Sequence, residues 1–284
     1  MSHTSPVSHT SPVTSAAELL AAYHQQVRAV LPARQPASIR VDRDGPLLLV
    51  TGGKHYGWVE YRDLAGLTGE ALDALIERTC RFFGSRGGAF EWKTYSYDEP
   101  ADLPDRLRAA GFVAGEVETV VIGPAEQLTD EPALPAGVRI RRAGDRTDFE
   151  RIAELQTEVW KEDWSWLADD LAERQAADPD DLAIFVAEAG SRLVSAAWLV
   201  RSPGTDFATL WGGATLAQWR GRGIYRALVA RRAQYAVQVG NRYLQVDASA
   251  DSAPILQRLG FVAVATTTPY LWTPPGRVDG VRLP

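Results

Sequence analysis

Residues 207–239 constrain the fold of this chain more than any other stretch. Phe207 to Thr215 reads as a β-strand with an internal pair, Gly212-Gly213, and a turn, Arg220-Gly221-Arg222-Gly223, leads at once into a helix running to about Val239. Glycine pairs inside strands mark bulges. A strand, bulge, glycine turn and helix in succession make an anion site, because the unpaired amides of the helix start converge on one point with the helix dipole behind them. Gly221 and Gly223 let the backbone approach a phosphate with no Cβ in the way, and Arg220, Arg222 and Arg226 add positive charge. Diphosphate is the natural ligand. From the turn alone, an ordinary strand-to-helix connection with solvated arginines remains open; an RNA-binding Arg-Gly segment is a poorer reading, because the motif occurs once and an amphipathic helix follows.

The chain has 284 residues, which argues for two modules. Its 45% hydrophobic and 23% charged content is that of a globular protein. A formal charge of -6 gives no global reason to bind nucleic acid or an anionic membrane and suits a cationic small partner better. The single cysteine, Cys80, excludes an intramolecular disulfide framework and cysteine-rich metal sites, and fits a reducing cytoplasm. The longest apolar runs, such as Leu47-Leu48-Leu49-Val50, are far too short to span a bilayer, and the amino terminus has no secretory pattern. It carries instead a tandem hexapeptide, Ser2 to Val7 repeated as Ser8 to Val13, which reads as a disordered tail over residues 1–15 with inert histidines.

The clearest boundary is the stretch 123–137, where glycines and prolines interrupt the apolar pattern, giving a first module at 16–125, a linker at 126–137 and a second module at 138–284. The first module reads as α/β: a helix from Ala16 to Val30, strands at Leu47–Val50 and Trp58–Tyr61, a helix at Glu70–Phe83, a strand at Phe90–Tyr97, a helix at Asp102–Ala110 and a strand at Glu118–Ile122. In the second, Val138–Arg141 is a strand, Thr147-Asp148-Phe149-Glu150 has capping-box spacing, and Leu182–Glu188 with Leu193–Val200 form a hairpin around Gly190. A strand at Tyr243–Val246 and a helix ending in Leu259-Gly260-Phe261 follow the central helix.

Arg220-Gly221-Arg222-Gly223-Ile224-Tyr225, together with Ala253 to Phe261 ending in Gly-Phe, resembles the two motifs of the GNAT superfamily of coenzyme A-dependent N-acetyltransferases, across roughly residues 138–272. Tyr225 departs from the small residue usual at its position, and Gln218-x-x-Gly221-x-Gly223 is a second possible register. The resemblance implies two GNAT-like modules, each a mixed twisted sheet flanked by helices, with the central strands splayed in the second. It implies that the amides of Gly221, Arg222, Gly223, Ile224, Tyr225 and Arg226 hold the pyrophosphate of acetyl-CoA, and that Gly213, Ala214 and Thr215 pair with its pantetheine arm. Ser249 stands where the family often has an asparagine contacting pantetheine. Pantetheine has two amides and can add to a splayed strand edge, while a bulge frees a backbone N–H for the thioester oxygen.

Acetyl transfer needs a neutral amine, hence a base. Asp247, at the end of the strand beside the central one, is the candidate; a turn or capping role competes. The family's usual tyrosine acid falls on Leu256 here, leaving Tyr225 or Tyr243 as substitutes, or a thiolate that leaves unassisted. Nine acidic residues between Glu158 and Asp181, interleaved with Trp160, Trp164 and Trp166, suggest a cationic acceptor, against the plainer reading of a solvated face with core tryptophans. The first module echoes the Gly-Phe motif at Asp102 to Phe112 but has no glycine signature before its Glu70 helix, so it is expected to shape the acceptor cleft and not to bind coenzyme A. Gly52 to His55 reads as a loop, His55 and Cys80 as structural, and Trp92, Tyr95 and Tyr97 as one strand face serving the core. The expectation is an N-acetyltransferase acting without a metal on a primary amine of a small molecule or peptide, by direct attack in a ternary complex. The alternatives are a non-catalytic coenzyme A-binding or sensing protein and transfer of a longer acyl chain.

Overall fold

The computed structural model describes residues 15–32, 34–53 and 56–275; the hexapeptide repeat and His55 lie outside them. The helices are α1 (Ala16–Gln26), α2 (Gly69–Gly84), α3 (Leu103–Ala109), α4 (Arg146–Trp160), α5 (Leu167–Ala177), α6 (Ile224–Gln238) and α7 (Ala253–Arg258). The strands are β1 (Arg40–Asp44), β2 (Leu47–Thr51), β3 (Gly57–Glu60), β4 (Phe90–Tyr95), β5 (Val113–Ala114), β6 (Glu118–Pro124), β7 (Val138–Ala143), β8 (Leu182–Ala189), β9 (Arg192–Arg201), β10 (Phe207–Thr215), β11 (Tyr243–Ala248) and β12 (Val262–Trp272).

All the strands join one sheet in the order β1-β2-β3-β4-β12-β6-β11-β10-β9-β8-β7, with β5 on β12. Only β3 with β4 and β10 with β11 run parallel. The two halves exchange their last strands. β6, from the first half, pairs with β11 from Tyr243↔Pro124 to Ala248↔Thr119, while β12, at the end of the second, pairs with β6 as far as Thr267 and then with β4 from Thr267↔Tyr95 to Trp272↔Phe90. The stretch expected to be a linker holds a short 3-10 turn at Ala125–Leu128, whose Ala125 and Leu128 are buried in the second half's core.

Three apolar clusters hold this sheet. One joins α4, α5 and α6 to β8, β9 and β10; a second packs Leu72, Leu75, Ile76 and Phe83 of α2 on Phe90 and Trp92; the third lies under α1, where Leu19 and Tyr23 cover Val120, Ile122, Phe207 and Tyr243. α1 opens with a capping box, the Ser15 hydroxyl accepting from the Glu18 amide while Glu18 accepts from the Ser15 amide. The box expected at Thr147 is replaced: Asp145 caps α4 by accepting from the Asp148 amide at 2.8 Å, because the helix begins two residues earlier. Trp92 and Tyr95 point to opposite faces, as their odd spacing along β4 requires; Trp92 sits in the α2 core and Tyr95 on the other face. Cys80 is partly buried in α2, and burial pushes its thiol up to about 12, so it is no ready nucleophile.

The face opposite α2 carries ionisable groups: Glu60 on β3, Glu91 and Lys93 on β4, Glu118 on β6 and Asp247 on β11. Burial lifts the Glu60 carboxyl from 4.5 to about 7, although Lys93 pulls it back. A folded state that keeps a proton the unfolded chain releases loses stability as pH rises between those two values and is level above them. Replacing Glu60 with Gln removes that loss, so the stability gained by the variant over the wild type, read by denaturant melts, should grow from pH 4.5 to pH 7. A difference that stays flat over this window would contradict the assignment.

Candidate active site

The site forms where β10 leaves β11. The two strands pair only from Phe207↔Tyr243 to Thr209↔Gln245; beyond that β11 follows β6 and β10 follows β9, so the sheet opens between them. On its β9 side, β10 takes three steps from Trp211 to Ala214 against two from Trp198 to Ala196, which makes Gly212 and Gly213 the bulge. Glycine is required at Gly212, with φ of +62° and with the Trp198 ring occupying the place of any Cβ. The bulge carbonyls are held from outside: Gln156 of α4 donates to Gly212 at 2.8 Å and Ser195 to Ala214 at 2.7 Å. Arg220 donates to the Thr215 carbonyl at 3.0 Å, so it anchors the strand end as well as charging the turn.

Gly221 and Gly223 adopt φ of +71° and +82°, and α6 starts at Ile224 with Gly223 as an N-cap that has no side chain to offer. The first-turn amides are therefore uncapped, a Cβ at Gly221 would meet nothing within 4 Å, and Arg222 and Arg226 stand exposed beside them. This cradle fits a diphosphate. Tyr225 turns its ring under the bulge, where a Cβ on Gly213 would lie 3.0 Å from Cε2. Burial raises its phenol, against the pull of the buried Arg232. Tyr243, offered as its equal, packs at a tilt against Phe207 at the paired end of β11 and is not at the opening. Leu256 is wholly buried in the core. Ser249 exchanges a hydrogen bond with the Ser252 hydroxyl at 3.2 Å just before α7.

Asp247 lies on β11 at the opening, but it is not alone. Its Oδ2 accepts from the Lys93 ammonium at 3.1 Å and its Oδ1 from Gln245 at 2.8 Å, while Lys93 also donates to Glu118 at 3.1 Å. Burial works against the Lys93 charge, yet Asp247, Glu91 and Glu118 outweigh it and hold the ammonium well above its usual pKa. Lys93 and Glu118 come from the first half and carry no motif; only the period-two placement of Glu91, Lys93 and Tyr95 hinted at a polar face. The acid-rich stretch is largely spoken for: Glu158 pairs with Arg192, Asp169 with Arg146, Asp170 with Arg174 and Asp181 with Arg201. Trp164 and Trp166 stack on each other against the core. Trp160 and Trp211, by contrast, are 51% and 52% exposed. The Trp160 indole donates to the same Gln156 that holds the bulge, at 2.7 Å, and Trp211 is the residue before the bulge.

Residues 149–261 match the model of the acetyltransferase (GNAT) family. No curated protein matches the sequence. Among solved structures, the chain is similar to a GCN5-related N-acetyltransferase from Kribbella flavida, at TM-score 0.67 and 17% identity over 94% of this chain and 98% of that one. It is also similar to a tandem GNAT protein from the clavulanic acid biosynthesis pathway, at TM-score 0.58 and 15% identity over 86% of each chain, and to a GCN5-related N-acetyltransferase from Sphaerobacter thermophilus, at TM-score 0.58 and 16% identity over 83% of each. At these identities the likenesses establish the fold. The second half thus matches a GNAT acetyltransferase domain over residues 149–261, and the chain as a whole shares the fold of a tandem GNAT protein.

Proposed function

We propose that the second half binds acetyl-CoA and transfers its acetyl group to a primary amine of a small molecule or peptide, by direct attack in a ternary complex. The observation that carries this reading is the opening of β10 from β11 beside the uncapped, glycine-led start of α6. In it the amides of Gly221 to Arg226 hold the diphosphate, the β10 edge at Gly213, Ala214 and Thr215 receives the pantetheine amides with Ser249 across the gap, and a bulge amide polarises the thioester carbonyl.

Asp247 takes the amine proton, directly or through water. Lys93 and Gln245 orient it, so the first half contributes to the base. A thiol with a free pKa of about 8.5 needs little help in leaving. Burial raises the Tyr225 phenol, and the reading is that the thiolate departs unassisted. The exposed Trp160 and Trp211 indoles face the acceptor and take its cationic form by their ring faces. A second reading, coenzyme A binding without turnover, is favoured by Leu256, which puts a buried aliphatic where the family's acid stands. Release of free thiol from acetyl-CoA over a panel of primary amines separates the two: turnover supports transfer, while thermal stabilisation with no thiol released on any amine supports binding alone.

Three variants test the assignments. Gly223→Trp should abolish thermal stabilisation by coenzyme A; because the substitution also strains a positive φ, the R222E/R226E double variant, which keeps the backbone, should weaken it in the same direction. Unchanged stabilisation in both would remove the diphosphate site. Asp247→Asn should cut kcat by on the order of 10²–10⁴ with coenzyme A affinity intact, and a kcat near that of the wild type would dismiss it as the base. Trp160→Ala should raise the KM of the amine by roughly 3- to 30-fold, the range of a cation–π contact, whereas E162Q/D163N should leave it alone; the reverse pattern would return the acceptor to the acid-rich stretch.

A further inference from the structure

The first half repeats the topology that makes the second half's site. β3 and β4 are a parallel pair with α2 between them in sequence, as β10 and β11 are with α6. In such units ligands sit beyond the carboxyl ends of the parallel strands. There the first half has a cavity of about 350 Å³, walled by the segment 62–68 that leaves β3 and enters α2, by the segment 97–100 that leaves β4, and by His24 and Arg28 at the end of α1. Two glycines at positive φ lie at the start of α2, Gly66 (+74°) before it and Gly69 (+54°) as its first residue, where α6 has Gly221 and Gly223 before its first residue, and a Cβ on Gly66 or Gly69 would meet nothing within 4 Å. Thr68 caps α2 without a side-chain hydrogen bond.

The charges, however, are reversed. Where α6 has Arg220, Arg222 and Arg226, the entry to α2 has Asp63, Glu70 and Asp73, the last bound to Arg106. A diphosphate is repelled from such a turn. The interior is instead rich in donors. Arg28 is 3% exposed. One of its terminal nitrogens meets Asp98 at 2.6 Å, another donates to the Tyr61 carbonyl at 3.1 Å, and its plane lies 3.9 Å from the Tyr95 ring centre; its Nε has no hydrogen-bond partner among the described residues. The same is true of His24 Nδ1, while the buried Tyr97 hydroxyl has only Arg28 beside it. Asp98 is fully used by Arg28, Tyr61 and the Tyr95 amide, so it does not compete for these donors. Burial and the neighbouring Arg28 hold the His24 imidazole below its usual pKa, which leaves a neutral ring able to donate or accept. Buried donors without partners are costly, and a ligand oxygen relieves the cost.

We propose that this cavity binds a small carboxylate of amino-acid size, its oxygens received by Arg28 Nε, the Tyr97 hydroxyl and the first amides of α2, with an amino group directed to Asp63 and Glu99 at the mouth. The first half is then a binding module in its own right, built on the site plan of the second half but turned by its charges to a different ligand.

The test uses the full chain with saturating coenzyme A, which keeps anions away from α6. Calorimetric titration with each of the twenty standard amino acids, with acetate and with inorganic phosphate should show one amino acid or more binding at one per chain, acetate more weakly, and phosphate not at all. Tyr97→Phe, which keeps the ring, and His24→Gln, which keeps most of the volume, both at partly exposed positions, should each weaken that binding by about tenfold, the effect of one lost hydrogen bond to a charged group. No binding by any amino acid, binding indifferent to both variants, or phosphate binding that the two variants weaken would overturn the proposal. The readout does not involve acetyl transfer, so a failure of the acyltransferase reading leaves this result interpretable.

Discussion

The exchange of β6 and β12 between the halves is the constraint on which the rest of this molecule depends. Without β6, β11 has no neighbour on its outer side; without β12, β4 has none on its own. Each half lends the other a strand, and the backbone hydrogen bonds that complete one sheet are drawn from the opposite end of the chain. Two consequences follow for the chemistry. The exchange brings Lys93 within salt-bridge distance of both Glu118 and Asp247, and it lays α1 across strands of both halves, with Gln26 bonded to Asp206 through both its amide atoms.

The working site is a local failure of that sheet. β10 and β11 separate after three residue pairs, and a bulge that only glycine tolerates turns β10 toward the opening. Gln156 fastens the bulge and the Trp160 indole fastens Gln156, so the indole proposed to meet the acceptor also holds the strand proposed to meet the thioester. The two glycine-bearing helix starts carry opposite charge, one flanked by arginines and the other by carboxylates.

Local features of the site were legible in the sequence. Gly212-Gly213, Gly221, Gly223 and the start of α6 are written in consecutive residues, and each was read in place. What escaped was non-local or of mixed signal. β12 is absent from the reading because Pro269 interrupts its alternating pattern; the strand accommodates it opposite Lys93, where its carbonyl still accepts from Gly115. Lys93 meets Asp247 across 154 residues of sequence, and no spacing rule joins them. The acid-rich stretch left two readings open because composition does not show which carboxylates have arginine partners. Gly66 and Gly69 were a weaker copy of the α6 turn, spaced by three instead of two, and passed unnoticed for that reason.

The central claim is that two modules make one coenzyme A site, the first half having the plan of such a site but the wrong charges. Calorimetric titration of the full chain with coenzyme A measures this directly. The account predicts one equivalent bound per chain, with its affinity weakened in the R222E/R226E variant. Two equivalents per chain, or an affinity unchanged in that variant, would contradict it.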